Sequence, residues 1–80
     1  MDNVQEGKLL DLIEEIADDP VVRDERDMDL FEEGLLDSMA AIDLLVALET
    51  DFGVRISPTE LERDEMNTVN KIIERVSERL

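Results

Sequence analysis

The sequence contains no cysteine and no histidine, and aromatic residues make up only 2% of it. Without cysteine, the chain has no disulfide, no thiolate metal ligand and no thiol nucleophile. Without histidine, it also lacks the side chain that most often serves as a general base or binds zinc. We therefore expect an aliphatic core, no metal site, and a protein that is not an enzyme on its own.

Basic residues are also scarce, because 8 lysines and arginines stand against 23 acidic residues, for a formal net charge of −15. Phosphate backbones and anionic lipid surfaces repel such a chain, so we expect no nucleic-acid partner. No apolar run approaches the roughly 20 residues that span a bilayer, and nothing resembles a signal peptide. We expect a cytoplasmic monomer, without direct membrane insertion, that docks on basic partner surfaces.

The length of 80 residues corresponds to a single domain, residues 1–80. The first predicted helix carries one amphipathic stripe, formed by Leu9, Leu12, Ile13 and Ile16. Asn3 and Glu6 resemble a capping box at its start. The helix should end near Asp19, because Pro20 disfavours helical geometry in the residue before it.

A second helix is predicted from Ser38 to about Phe52, with Asp37 as its N-cap. At roughly 100° per residue, one arc of this helix forms a core face of Ala41, Leu44, Leu45, Leu48 and Phe52. Three further apolar residues, Met39, Ile42 and Val46, lie well round the helix and are flanked by Asp43 and Glu49. A single core face does not need this second stripe, so it is a candidate docking surface.

The connection from Asp19 to Asp37 should be mostly irregular, with Leu30, Phe31 and Leu36 tying it to the core and Gly34 supplying a turn. Its acidic run "DERDMD" does not fit a calcium loop. Counted from Asp27, the third ligand position is Phe31, and the sixth position holds no glycine.

The last part of the chain predicts two more helices. Ser57 to Glu60 form a capping box with Pro58 at the first helical position, which indicates a short third helix. The last helix should start near Asn67 or Thr68 and bury Val69, Ile72, Ile73 and Val76. The predicted fold is all-α, a small bundle of three main helices plus one short helix.

Ser38 is the residue that most needs an explanation. It cannot belong to a Ser-His-Asp triad, and the G-x-S-x-G pattern is missing. It could simply be a first-turn residue of the second helix. Alternatively, a phosphate attached to Ser38 would face free backbone N–H groups and the positive end of the helix dipole.

The motif "GLLDSM", followed by an apolar and acidic helix, resembles the phosphopantetheine attachment site of acyl carrier proteins. The resemblance extends over nearly all of the chain in helix order and loop lengths. Within that superfamily, "LFEEGLLDSM" and "ELERDEMNTVNKII" are most similar to the D-alanyl carrier proteins of Gram-positive bacteria. Those carriers often have glycine where this chain has Ala40, and an aromatic residue where it has Met66.

The resemblance implies that Ser38 receives 4'-phosphopantetheine covalently from coenzyme A, through a separate phosphopantetheinyl transferase. It also implies a D-alanine–carrier protein ligase that loads D-alanine as a thioester. A membrane-bound O-acyltransferase system would then use the carrier to D-alanylate (lipo)teichoic acid in the cell wall. Asp37 would help present Ser38, and the recognition face would consist of Met39, Ile42, Asp43, Val46 and Glu49.

Two alternatives stay open at this point. A fatty-acyl or peptidyl carrier would use the same attachment chemistry with different cargo. An acidic adaptor would bind a basic protein and never be modified, and it should tolerate replacement of Ser38.

Overall fold

The secondary structure of the protein is helical. The computed structural model describes residues 1–59 and 62–80, with only the backbone at position 63. Helix α1 spans Asn3–Ala17, α2 spans Ser38–Phe52 and α3 spans Val69–Ser77, with short 3₁₀ helices at Pro20–Arg23 and Arg63–Glu65. No strand occurs in the described ranges. The predicted all-α fold with three main helices is confirmed.

The start of α1 differs from the prediction by one residue. The Asp2 carboxylate accepts from the backbone N–H of Gln5 at 2.8 Å, and the Gln5 side chain accepts from the N–H of Asp2 at 3.2 Å. The capping box therefore consists of Asp2 and Gln5, and the one predicted for Asn3 and Glu6 is wrong. Asn3 is already helical, and Glu6 instead pairs with Arg26 at 2.7 Å.

The end of α1 agrees with the prediction. The helix stops at Ala17, Asp18 adopts a left-handed conformation with φ 55°, and Asp19 is extended as Pro20 requires. The Asp19 carboxylate then caps the first 3₁₀ helix by accepting from the N–H of Val21 at 2.9 Å.

The core is built from aliphatic side chains supplied by all the main helices and by the connections between them. In α1 the buried face is wider than predicted on one side, because the first 3₁₀ helix folds back against α1. Leu10 and Ala17 are buried there, whereas Leu12 and Ile16 remain half-buried. The buried apolar residues are Leu9, Leu10, Ile13, Ala17, Val22, Leu30, Leu36, Leu44, Leu48, Val54, Ile56, Val69, Ile72 and Val76.

The connection between α1 and α2 is held by hydrogen bonds around Asp29. One of its carboxylate oxygens accepts from the N–H groups of Phe31 and Glu32, both at 3.0 Å. The other accepts from the Asn67 side chain at 2.6 Å, and the N–H of Leu30 donates to the Asn67 carbonyl at 2.7 Å. These bonds join the middle of the connection to the start of α3.

Burial agrees with the predicted anchors of this connection. Leu30 and Leu36 are buried, and Phe31 is half-buried against the core. The acidic run before them has a structural role as well. Asp27 accepts from the Asn70 side chain at 2.9 Å, and the backbone carbonyl of the preceding residue accepts from the Asn70 N–H at 3.1 Å.

The predicted short helix after α2, starting with the capping box of Ser57–Glu60, falls largely outside the described residues, which stop at Thr59 and resume at Glu62. Pro58 and Thr59 form a turn. The Ser57 hydroxyl contacts the Thr59 hydroxyl at 3.1 Å and accepts from the Thr59 N–H at 3.4 Å. The capping box predicted for Ser57 and Glu60 stays a prediction. A 3₁₀ helix follows at Arg63–Glu65.

Helix α3 begins where the sequence predicted. Thr68 is its N-cap, and the Thr68 hydroxyl accepts from the N–H of Lys71 at 3.1 Å. Val69, Ile72 and Val76 are buried, and Ile73 is half-buried. At the other end, the Arg79 guanidinium donates to the carbonyl of Arg75 at 3.0 Å, which suits the negative end of the helix dipole. None of the helices in the described part of the chain is long and apolar enough to cross a membrane.

Candidate functional site

Ser38 is the first residue of α2, and its side chain is exposed. The residues that precede Ser38 fix the position of its backbone. Gly34 turns the chain with φ 73°, which favours glycine, and Leu36 is buried in the core. The Asp37 carboxylate then accepts from the N–H of Ala40 at 2.8 Å. The predicted N-cap is confirmed, and it holds Ser38 at the solvent-facing tip of the helix.

The surroundings of Ser38 suit a bound anion more than they suit catalysis. The N–H groups of Ser38 and Met39 occupy the first turn of α2, where backbone donors have no partner within the helix. The helix dipole adds positive potential at the same end. A Ser-Lys pair is not formed: Lys71 donates to the carbonyl of Asp64 at 2.8 Å, and Lys8 approaches the carbonyl of Asp51, at the other end of α2.

The second apolar stripe of α2 is exposed. Met39 is 75% exposed, Ile42 51% and Val46 59%. Apolar side chains on the surface are individually common, but three on one helical face, next to Ser38, form a contiguous patch. We call Met39, Ile42 and Val46 the apolar stripe.

The two predicted acidic neighbours of the apolar stripe differ in their surroundings. Glu49 pairs with Arg55, six residues further along the chain, at 3.1 Å. The pair forms because the chain folds back after α2. Both of its side chains are exposed, which limits the contribution of the pair to stability. Asp43 lies toward α1 and lines a groove with Ala40 and Ala47.

A cleft of about 270 Å³ opens beside Ser38, on the side of α2 that faces the segment after it. Most of its walls are apolar, and Ser38, Ser57 and Glu62 supply polar groups. The apolar side chains that line it are Phe31, Leu36, Ala41, Ile42, Leu44, Leu45, Ile56, Pro58 and Met66.

These features fit a phosphopantetheine group. An exposed hydroxyl is available for attachment, the first turn of α2 favours the negative charge of a phosphodiester, and the cleft offers apolar walls next to the attachment point. Ser38, with Asp37 fixing the local backbone, is the residue that would hold the group.

Sequence reasoning found the helix end and the apolar stripe but missed the cleft. Its walls come from three separate parts of the chain, represented by Phe31, Leu45 and Met66. In the sequence, each of these residues is an apolar position that would be assigned to the core. No local pattern signals that they border an opening beside Ser38.

Comparisons with known proteins show the family to which the chain is similar. The family model described as "Phosphopantetheine attachment site" matches residues 7–76. The chain is 49% identical over 72 residues to the D-alanyl carrier protein of Lactococcus lactis subsp. cremoris. These aligned residues cover 90% of this chain and 91% of that protein. It is 42% identical over 78 residues to the D-alanyl carrier protein of Bacillus subtilis, covering 98% and 97% of the two chains.

Proposed function

Because the chain belongs to the phosphopantetheine attachment site family, and within it to the D-alanyl carrier proteins, we propose that it carries D-alanine for the D-alanylation of (lipo)teichoic acid. The main support for this proposal is that Ser38 is exposed at the capped start of α2, within the region that the family model matches. Phosphopantetheine supplies the thiol that the sequence lacks and on which D-alanine is held as a thioester.

Each residue near the attachment point has a separate role. The Ser38 hydroxyl provides the oxygen for attachment. Asp37 fixes the first turn of α2 through its bond to the N–H of Ala40, so the free N–H groups of that turn face the phosphodiester. The chain has no histidine or cysteine, and carrier proteins are in general not catalysts. We assign the attachment and loading reactions to partner enzymes.

The partners in this proposal are a phosphopantetheinyl transferase, a D-alanine–carrier protein ligase and a membrane-bound O-acyltransferase. The apolar stripe would contact them, with Asp43 and Glu49 at its edges steering basic surfaces toward it. The net charge of −15 disfavours both self-association and nucleic-acid binding. We propose a monomer that acts in the cytoplasm, where coenzyme A and ATP are supplied.

Attachment at Ser38 is tested by intact mass after incubation with coenzyme A and a phosphopantetheinyl transferase. The wild type should gain the mass of one phosphopantetheine, and Ser38→Ala should gain none. Ser57→Ala is the matched control, because Ser57 lines the same cleft and its loss should leave modification unchanged. Modification of Ser38→Ala at another serine would overturn the assignment, and an unmodified wild type would favour an adaptor.

The cargo is tested on the modified protein in the same way. With a D-alanine–carrier protein ligase, ATP and D-alanine, the intact mass should rise by one D-alanyl group. The protein should be a poor acceptor of malonyl groups from a fatty-acid synthase transferase. Efficient malonyl loading without a D-alanyl adduct would identify a fatty-acyl carrier and leave the attachment site unchanged.

The recognition face is tested by charge reversal. Asp43→Lys combined with Glu49→Lys should slow loading at low salt and change the melting temperature little, because exposed charges contribute more to association than to stability. The matched control reverses Glu32 and Glu33, which are exposed in the connection before α2. Equal loading rates for both double variants would exclude this face as the interface.

A further inference from the structure

A second surface lies on the opposite side of α2 from the cleft. It is a groove of about 520 Å³ between α1 and α2. Its floor consists of Leu12 and Ile16 from α1 and Ala40 and Ala47 from α2, all of them half-buried. Leu12 and Ile16 are the positions that the sequence assigned to the core, so their partial exposure shows apolar surface that the fold itself does not cover.

The rim of this groove carries the carboxylates of Glu15, Asp43 and Asp51, which are exposed. None of the three forms an ion pair with a side chain in residues 1–59 or 62–80 for which the structure gives contacts. Lys8 comes near Asp51, but its ammonium donates to the backbone carbonyl at 3.5 Å and lies over the ring of Phe52. The rim is therefore negatively charged, and Lys8 near Asp51 is the cation that approaches it among the described contacts.

The other face of α1 gives an internal comparison. Asp11 and Glu14 lie on the same helix, and both pair with Arg23. The hydrogen bonds that the Arg23 guanidinium donates to Glu14 first, and then to Asp11, raise the pKa of Arg23 above its ordinary value. Arg23 thus neutralises Asp11 and Glu14 on α1, whereas the carboxylates at the groove have no ion-pair partner among the described residues.

We propose that the groove between α1 and α2 is a docking site for a helical segment of a partner protein with an apolar ridge flanked by lysine or arginine. An apolar floor between two helices accepts the ridge of a third helix. Asp43 and Asp51 lie on one helix, roughly 12 Å apart along its axis, so cations about two turns apart on the partner would match them. The carboxylates of the rim determine the charge of the occupant.

The floor of the groove differs from the face used in the proposed function, and Asp43 is the residue that the two surfaces share. The floor residues Ala40 and Ala47 lie on the α1 side of α2, whereas the apolar stripe faces solvent and the cleft lies beyond it. A partner in the groove leaves Ser38 and the stripe free for an enzyme. A second copy of the chain is disfavoured as the occupant, since each carries a net charge of −15. The inference does not depend on the cargo.

The test is an NMR titration of the unmodified, isotope-labelled protein at low salt with a synthetic amphipathic peptide. The peptide is about four helical turns long, with leucines on one face and lysines on its flanks. The expected result is saturable shift changes concentrated at Leu12, Ile16, Ala40 and Ala47. A peptide with glutamates in place of the lysines should not bind. Changes concentrated on Met39, Ile42 and Val46 instead would overturn the proposal.

A charge-matched pair of variants separates the groove from general attraction to an acidic protein. Glu15→Gln, Asp43→Asn and Asp51→Asn together should weaken peptide binding about tenfold at low salt. The control variant removes the same number of charges elsewhere, through Asp24→Asn, Glu32→Gln and Glu33→Gln, and should weaken it less than twofold. Equal weakening by both would show nonspecific attraction and refute the site. Concentration-dependent dimerisation with shifts at the groove would show that a second copy is the occupant and also overturn the proposal.

Discussion

Replacement of Asp37 by alanine should destabilise the whole domain through one lost hydrogen bond. The Asp37 carboxylate accepts from the N–H of Ala40 at 2.8 Å, and loss of an N-cap acceptor costs about 1 kcal/mol, within a range of roughly 0.5–2. α2 also buries Leu44 and Leu48 in the core, so fraying of its first turn is coupled to global unfolding. For a domain of this size, about 1 kcal/mol corresponds to a melting temperature lower by about 4–8 °C.

The assay is thermal and urea unfolding followed by circular dichroism, since the chain has no tryptophan or tyrosine. Asp37→Asn is the matched control, because it removes the same charge as alanine but keeps a good cap acceptor. It should lose only a few tenths of a kcal/mol. If asparagine and alanine destabilised the protein equally, the effect would come from the charge and not from the hydrogen bond. No loss with alanine would refute the reasoning altogether.

Three further changes test other parts of the fold. Gly7→Ala should stabilise the protein by up to about 1 kcal/mol, because Gly7 is inside α1 and an added Cβ would have nothing within 4 Å. Gly53→Ala should instead destabilise it by about 1–2 kcal/mol, because Gly53 has a φ of 67°. Equal effects in denaturant unfolding would contradict this. Leu48→Ala should cost about 2–5 kcal/mol, since Leu48 is fully buried; a loss under 1 kcal/mol would mean that the core collapses around the gap. The melting temperature should rise from very low to moderate salt, because salt screens the repulsion within a chain of net charge −15, and a flat or falling curve would show local compensation.

The sequence predicted α2 with both of its ends because every signal for it is local. Asp37 caps its start, and the apolar spacing from there to Phe52 has the helical period. In the structure, Gly53 takes the left-handed conformation directly after that end. The exposure of Met39, Ile42 and Val46 followed from the same spacing. The start of α1 was less certain, since Asp2 and Asn3 are both good N-caps and the sequence alone does not decide between them.

The features that the sequence did not predict depend on contacts between distant parts of the chain. The pair between Glu49 and Arg55 exists because the chain reverses after α2. The cleft beside Ser38 and the groove between α1 and α2 are gaps between elements, and a gap leaves no periodic signal in any one of them.

The hydrogen bonds between the connection and α3 also determine when the protein is able to fold as it is made. The N–H of Leu30 bonds to the carbonyl of Asn67, and the carbonyl of Arg26 accepts from the N–H of Asn70, so the connection is completed by residues about 40 positions later in the chain. A ribosome holds the last residues of a growing chain inside its exit tunnel. Until α3 emerges, the buried Leu30 lacks part of its packing and Asp29 lacks its amide donor. We therefore expect the native fold to form only after α3 has left the tunnel, and a chain shortened before residue 67 to remain unfolded, which limited proteolysis of ribosome-bound chains can measure.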